Sequence, residues 1–205
     1  MQIRILGRGK TGSTLARRFT ETGHDVTLAN SRGAESLEPL VAELGPRAHA
    51  APDLATAAAQ GDVVVLALPF FLYDRLPAEA LAGRVLVDAM NHYSGRDGEV
   101  PELEDDSTTS SELLARHLPG ARVVKAFNTM VSTQLGADGR SAGDPGRLVV
   151  VIAGDDDGAT ATVRSLADAI GFDTVDHGAL AAGRAQQPGS AVYGVPFTLA
   201  QTTSR

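Results

Sequence analysis

The chain has 205 residues, a formal charge of −7, 43% apolar content and no cysteine. That length suits one ordinary domain with a real core, and the acidic balance argues against nucleic acid or an anionic membrane as a partner. Missing thiols exclude disulfides, thiol catalysis and thiolate-bound metal, while the absence of a signal-peptide pattern or a bilayer-length apolar run makes a cytoplasmic protein acting on a small molecule the expectation.

The first strand-like run is 3–6. Gly7-Arg8-Gly9-Lys10-Thr11-Gly12 follows it as G-x-G-x-x-G and opens a helical segment in which Leu15 and Phe19 share a face. In that setting Gly7 makes the tight turn, Gly9 lets a pyrophosphate approach the backbone, and Gly12 packs the helix against the strand. The free N–H groups at the helix start, including those of Arg8, Lys10 and Thr11, are expected to receive a dinucleotide pyrophosphate. Gly23 caps this helix before the second run, 25–29.

That second run ends on Asn30-Ser31-Arg32. An acid about 20 residues past the glycine turn would accept the free ribose 2′-hydroxyl of NAD. A hydroxyl and a guanidinium instead suit the 2′-phosphate of NADP, so NADP(H) is the expected cofactor. Arg8 could add positive charge nearby. The plainer alternative is a solvated basic turn.

Further strand-like runs follow at 63–68, 84–89, 121–126 and 148–153, with a weaker one at 172–176. Helical segments at 34–44, 52–60, 111–118 and 158–170 alternate with them. Several runs are continuously apolar, as strands covered on both faces should be. The pattern predicts an α/β protein with a Rossmann-type, doubly wound, mostly parallel sheet. Residues 1–154 form the expected NADP-binding domain and 155–205 a small C-terminal α/β segment that completes the substrate site.

Ligands in such sheets bind beyond the carboxyl ends of the strands. There Leu68, Pro69, Met90 and Phe127 are candidates to wall a nicotinamide ring, and Asn91 and Asn128 to hydrogen-bond its ribose or carboxamide. Closing a turn is the competing role for Asn91. Lys125 reads either as a catalytic ammonium or as a structural or phosphate-facing group. The polar stretch 91–106, NHYSGRDGEVPELEDD, is long for a connection and therefore a candidate functional loop. It holds His92, the one histidine placed to reach the cleft, so Asn91, His92 and Asn128 are the candidates for catalysis. Asp155-Asp156-Asp157 fits helix capping better than a metal site. The tail after Gly178 is rich in small residues, with apolar surface that calls for a second substrate or a second subunit, and a homodimer is expected.

Taken together, ILGRGKTGSTLARRF…GHDVTLANSRG, VVVLALPF, VDAMNHYSGRDG, LPGARVVKAFNT, IAGDD and QPGSAVYG resemble the NADPH-dependent reductases of the deazaflavin coenzyme F420. The resemblance runs over nearly the whole chain. It implies direct hydride transfer between NADPH and a bound deazaflavin, without a metal or covalent intermediate, in which the protein holds two rings at hydride distance. It carries over to Gly7, Gly9, Gly12, Ser31 and Arg32, and to Pro69, Asn91 and Asn128 at the matching strand ends. The segment GRAQQPGSAVYG departs from the more aromatic or basic version of that family. Alternatives are an NADPH-dependent reductase of a small imine or ketone and a non-catalytic NADP(H)-binding module.

Overall fold

The strands of the computed structural model, which describes residues 1–204, are β1 (Gln2–Leu6), β2 (Asp25–Ala29), β3 (Ala48–Ala50), β4 (Val63–Leu66), β5 (Val85–Asp88), β6 (Arg122–Lys125), β7 (Val149–Gly154) and β8 (Asp173–Asp176). They form one sheet in the order β3-β2-β1-β4-β5-β6-β7-β8. All neighbouring pairs are parallel except β6 and β7, which meet antiparallel through Val124 opposite Gly154 and Lys125 opposite Ala153. The chain winds outward from β1 through β2 to β3 and then returns to β4 on the other side of β1. That reversal opens a crevice beyond the carboxyl ends of β1 and β4, where such sheets bind ligands.

Helices cover both faces. α1 (Lys10–Glu21), α2 (Glu38–Leu44), α8 (Ser132–Ala137) and α9 (Asp157–Ala169) contribute to one core with Ile3, Ile5, Val63, Val65 and Val124. The opposite core joins Leu6, Val64, Leu66 and Leu86 to residues of α3 (Leu54–Ala58), α4 (Ala78–Leu81) and α7 (Ser110–His117). The alternation along β4 explains its uninterrupted VVVL: successive residues serve opposite cores, and all four are fully buried. In α1 the buried stripe is Gly12, Leu15, Ala16 and Phe19, and Gly23 follows with a φ of 87°.

Several expectations need adjustment. The strand β3 lacks an apolar signal, because only three residues pair with β2 at the sheet edge. The helix expected over 34–44 begins as a 3₁₀ turn at Ala34–Leu37. The stretch 91–106 contains two single-turn helices, α5 (Ser94–Asp97) and α6 (Pro101–Glu104). No break falls at 154/155: α9 packs on β5, β6 and β7, and β8 extends the same sheet by pairing with β7. The tail is mainly 3₁₀ (Leu180–Gln186 and Leu199–Ser204) and is pinned back on the sheet where the Val149 amide donates to the Phe197 carbonyl at 2.9 Å. Asp156 caps α9 by accepting the Ala159 amide at 2.7 Å, and Asp155 accepts the Leu180 amide at 2.8 Å. Among the described residues no helix is long and apolar enough to cross a membrane.

An ion pair lies inside the sheet. Asp88 and Lys125 are register partners on β5 and β6, 0% and 1% exposed, with the Lys125 ammonium 3.1 Å from Asp88 Oδ2. Further bonds hold both partners: Lys125 Nζ also donates to the Met90 carbonyl at 2.6 Å, and Asp88 accepts from the Met90 amide at 3.0 Å and Ser111 Oγ at 2.7 Å. Lys125 is therefore a structural residue. Replacing it with Met strands a buried carboxylate and should cost about 3–5 kcal/mol, read as a lower urea midpoint. The double variant Asp88→Leu/Lys125→Met should recover much of that loss.

Candidate functional site

The glycine turn runs from the end of β1 into α1. An ideal Cβ at Gly7, whose φ is 115°, would lie 2.2 Å from the Ala67 carbonyl oxygen, and one at Gly12 would lie 2.2 Å from the Gly7 carbonyl oxygen. Both positions are closed by backbone, which is why no side chain fits. Gly9 differs. Its backbone is ordinary (φ −66°), and a Cβ there would meet only the Ala67 oxygen, at 4.0 Å. What Gly9 leaves open is the space in front of the helix start. No side chain caps α1, and no acidic residue occupies its first turn. Unpaired N–H groups at the positive end of the helix dipole thus face a cradle suited to a pyrophosphate.

Two cavities flank this turn. The first, about 310 Å³, is bounded by Gly7, Arg8 and Gly9 on one side and by Asn30, Ser31 and Arg32 on another. Leu54, Leu68 and Leu72 supply its apolar walls. Asn30 is nearly buried and shapes the loop: its Oδ1 accepts the Arg32 amide at 2.7 Å, and its Nδ2 donates to Ser36 Oγ at 2.8 Å. Ser31 and Arg32 are exposed at the rim, and the Arg8 guanidinium donates to the Ser36 carbonyl. The sequence singled out the basic rim but missed Leu54 and Leu72, whose elements carry no motif.

The second cavity, about 640 Å³, continues from Gly9, Lys10 and Thr11 past Leu68 and Pro69 to Met90, Asn91 and Asn128. The two asparagines lock together. Asn91 Nδ2 donates to the Asn128 carbonyl and Asn128 Nδ2 to Asn91 Oδ1, both at 3.0 Å, while Asn128 Nδ2 also reaches the Gln186 carbonyl at 2.7 Å. Turn-closing and cleft-lining, posed as rivals for Asn91, thus coincide in one residue.

Two candidates lie elsewhere. Phe127 is fully buried, edge-on to Phe19 with ring centroids 6.4 Å apart, and contributes no side chain to the cleft. Its φ of 61° is the cause, since a left-handed residue at the end of β6 sends the ring into the core and turns Asn128 up. His92 borders a separate cavity; its Nε2 bonds the Gly98 carbonyl at 3.0 Å and its ring packs edge-on against Phe70.

In place of Phe127 and His92 the cleft has Tyr93, Arg96 and Tyr193. The Tyr93 and Tyr193 hydroxyls hydrogen-bond across 100 residues of chain, joining the loop after β5 to the tail. Burial and the Tyr93 contact push the Tyr193 phenol well above its ordinary pKa, so it stays neutral at working pH. The Arg96 guanidinium sits 4.9 Å from the centre of the Tyr93 ring and donates to the Asn91 carbonyl at 2.7 Å. Its charge is matched by Asp97: burial pushes that carboxyl up, but hydrogen bonds from Arg96 and the Tyr93 amide outweigh it and hold Asp97 below its usual range. Nothing local in the sequence pairs Tyr93 with Tyr193.

Residues 2–92 match the family described as NADP oxidoreductase, coenzyme F420-dependent. The chain is similar to a solved structure of the hypothetical protein SMa0349 from Sinorhizobium meliloti, with 32% identity, 97% and 95% coverage of the two chains and a TM-score of 0.84. It is also similar to a protein from Arthrobacter sp. FB24 provisionally named an F420-dependent NADP-reductase, with 32% identity, 90% and 87% coverage and a TM-score of 0.77. Metalloreductase STEAP3 of Rattus norvegicus is 30% identical over 187 residues, 89% of this chain; the chain spans about a third (35%) of that relative's length.

The glycine geometry makes a stability prediction. Gly7→Ala and Gly12→Ala should each lower the thermal midpoint, by the equivalent of about 1–3 kcal/mol of overpacking. Gly9→Ala should leave it unchanged in the same scan.

Proposed function

Because the chain belongs to the family of F420-dependent NADP oxidoreductases, we propose that it transfers hydride between NADP(H) and a deazaflavin ring of the F420 type. The observation that carries this reading is the make-up of the larger cleft. It runs on from the glycine turn and is walled by Pro69, Met90, Tyr93 and Tyr193, with no carboxylate and no imidazole among its lining residues. Such a site can position two rings but offers no charged acid–base pair, and positioning is what ring-to-ring hydride transfer demands.

The chain's own residues divide the work. Backbone N–H groups from Gly9 to Gly12 hold the pyrophosphate, and the openness at Gly9 admits it. Arg32 and Ser31, presented by the Asn30 turn, hold the 2′-phosphate, with Arg8 alongside; Leu54, Leu68 and Leu72 enclose the adenine. Pro69 and Met90 wall the nicotinamide, and the locked Asn91–Asn128 pair orients its carboxamide. When bound, NADPH supplies the hydride; the protein excludes water and fixes the approach of the second ring through Tyr93 and Tyr193.

Replacing Arg32 with Ala should weaken NADPH binding about ten- to hundredfold, the worth of one charge-assisted phosphate contact, and leave NADH binding nearly unchanged. Equal losses for the two cofactors would refute the phosphate role. Gly9→Val should abolish binding of both while the protein stays folded. For the reaction, purified protein should oxidise NADPH with a deazaflavin acceptor and run in reverse with the reduced deazaflavin and NADP⁺. Tight NADPH binding with no turnover on deazaflavin or flavin rings would sink the proposal.

A further inference from the structure

Beside the main cleft lies a second polar cavity of about 460 Å³ that the hydride-transfer reading leaves unused. Tyr93 lines both spaces, so they adjoin at that residue. The walls of this side cavity come from the loop after β5, the start of α7 and the tail, including His92, Ser94, Glu104, Asp106 and Gln187. Hydroxyl, amide, imidazole and carboxylate groups of this kind satisfy a chain of hydroxyls, each of which both donates and accepts.

The charges around it decide what kind of chain. Asp106, held at a φ of 58°, pairs with Arg184 at 2.9 Å, so the guanidinium is already engaged. Glu104 has no ion-pair partner among the described residues. Much of the start of α7 is already engaged. The Ser110 amide donates to Gln187 Oε1 at 3.2 Å, the Glu112 amide to Thr109 Oγ1 at 3.2 Å, and the Glu112 carboxylate itself accepts the Thr109 amide. Arg96, in the loop after β5, is matched by Asp97, and Arg116 of α7 by Glu102. A phosphate or carboxylate placed here would meet uncompensated negative charge.

We propose that the side cavity receives the tail of the hydride acceptor and selects an uncharged, hydroxylated tail, of the ribityl type, over a phosphorylated or polycarboxylate one. The inference rests on the ring-acceptor reading above and narrows it: the ring lies in the main cleft and its polyol chain crosses Tyr93 into the side cavity. The full coenzyme F420, with its anionic tail, is then a poorer ligand than its riboside core.

The test compares ligands that share a ring and differ in tail charge: riboflavin against FMN, and 8-hydroxy-5-deazariboflavin against F420. Dissociation constants come from ring-fluorescence titration of the NADP⁺-loaded protein, and kcat/KM from NADPH oxidation. The uncharged member of each pair should bind about tenfold more tightly. Glu104→Gln should shrink that ratio, and Asp106→Asn, which also releases Arg184, should shrink it further or invert it. Equal or tighter binding of FMN and F420 by the unaltered protein overturns the tail assignment while leaving ring transfer standing. Ratios unmoved by both substitutions overturn the side cavity as their source. Failure of all four compounds to bind overturns the ring-acceptor reading and this inference with it.

Discussion

The buried Asp88–Lys125 pair fixes the half of the cleft that lies away from the glycine turn. Each partner is on a different central strand, and each reaches the chain just beyond β5: Asp88 takes the Met90 amide and Lys125 donates to the Met90 carbonyl. Ser111 ties the start of α7 to the same carboxylate. The backbone at 89–91 is thereby held from several sides, and Met90 and Asn91 inherit their positions from it. Burying such a pair carries a desolvation penalty, and a pair of this kind is retained for geometry more than for net stability.

The other half of the cleft rests on backbone contact. Gly7 and Gly12 leave no room for a Cβ because carbonyl oxygens already fill the space. This packing brings β1, β4 and α1 so close that the helix start faces the crevice directly. Gly9 is free of that crowding, and its openness provides the cradle. Three glycines in one motif therefore meet two different demands, close packing at the first and third and access at the second.

Local strain and long-range closure complete the site. Phe127 adopts a left-handed conformation that non-glycine residues rarely take, at a cost of order 1–3 kcal/mol. The fully packed core around Phe19 offsets it, and the result is that Asn128 turns toward Asn91. The tail then returns over the strand ends, where the Gly194 amide donates to the Thr129 carbonyl at 2.8 Å and Tyr193 meets Tyr93. This closure adds Tyr193 to the wall of the cleft, and Gln187 and Pro188 to the wall of the side cavity.

The sequence by itself determined the sheet apart from the short edge strand β3, the glycine turn and the basic rim at Ser31 and Arg32. Those features are local: apolar runs mark strands buried on both faces, and a motif of six consecutive residues carries its own backbone requirements. It left open whether Lys125 was catalytic, placed Phe127 at the nicotinamide and His92 within reach of the cleft, and divided the chain at 154/155 where the sheet continues. Each of these depends on a direction that adjacent residues do not encode. A strand-end lysine points inward only if a carboxylate on the next strand awaits it, and a phenylalanine leaves the cleft only if its backbone turns left-handed. The tyrosine pair and the side cavity were decided by tertiary structure alone, because they join segments a hundred residues apart and chain closure, with no local periodicity, brings them into contact.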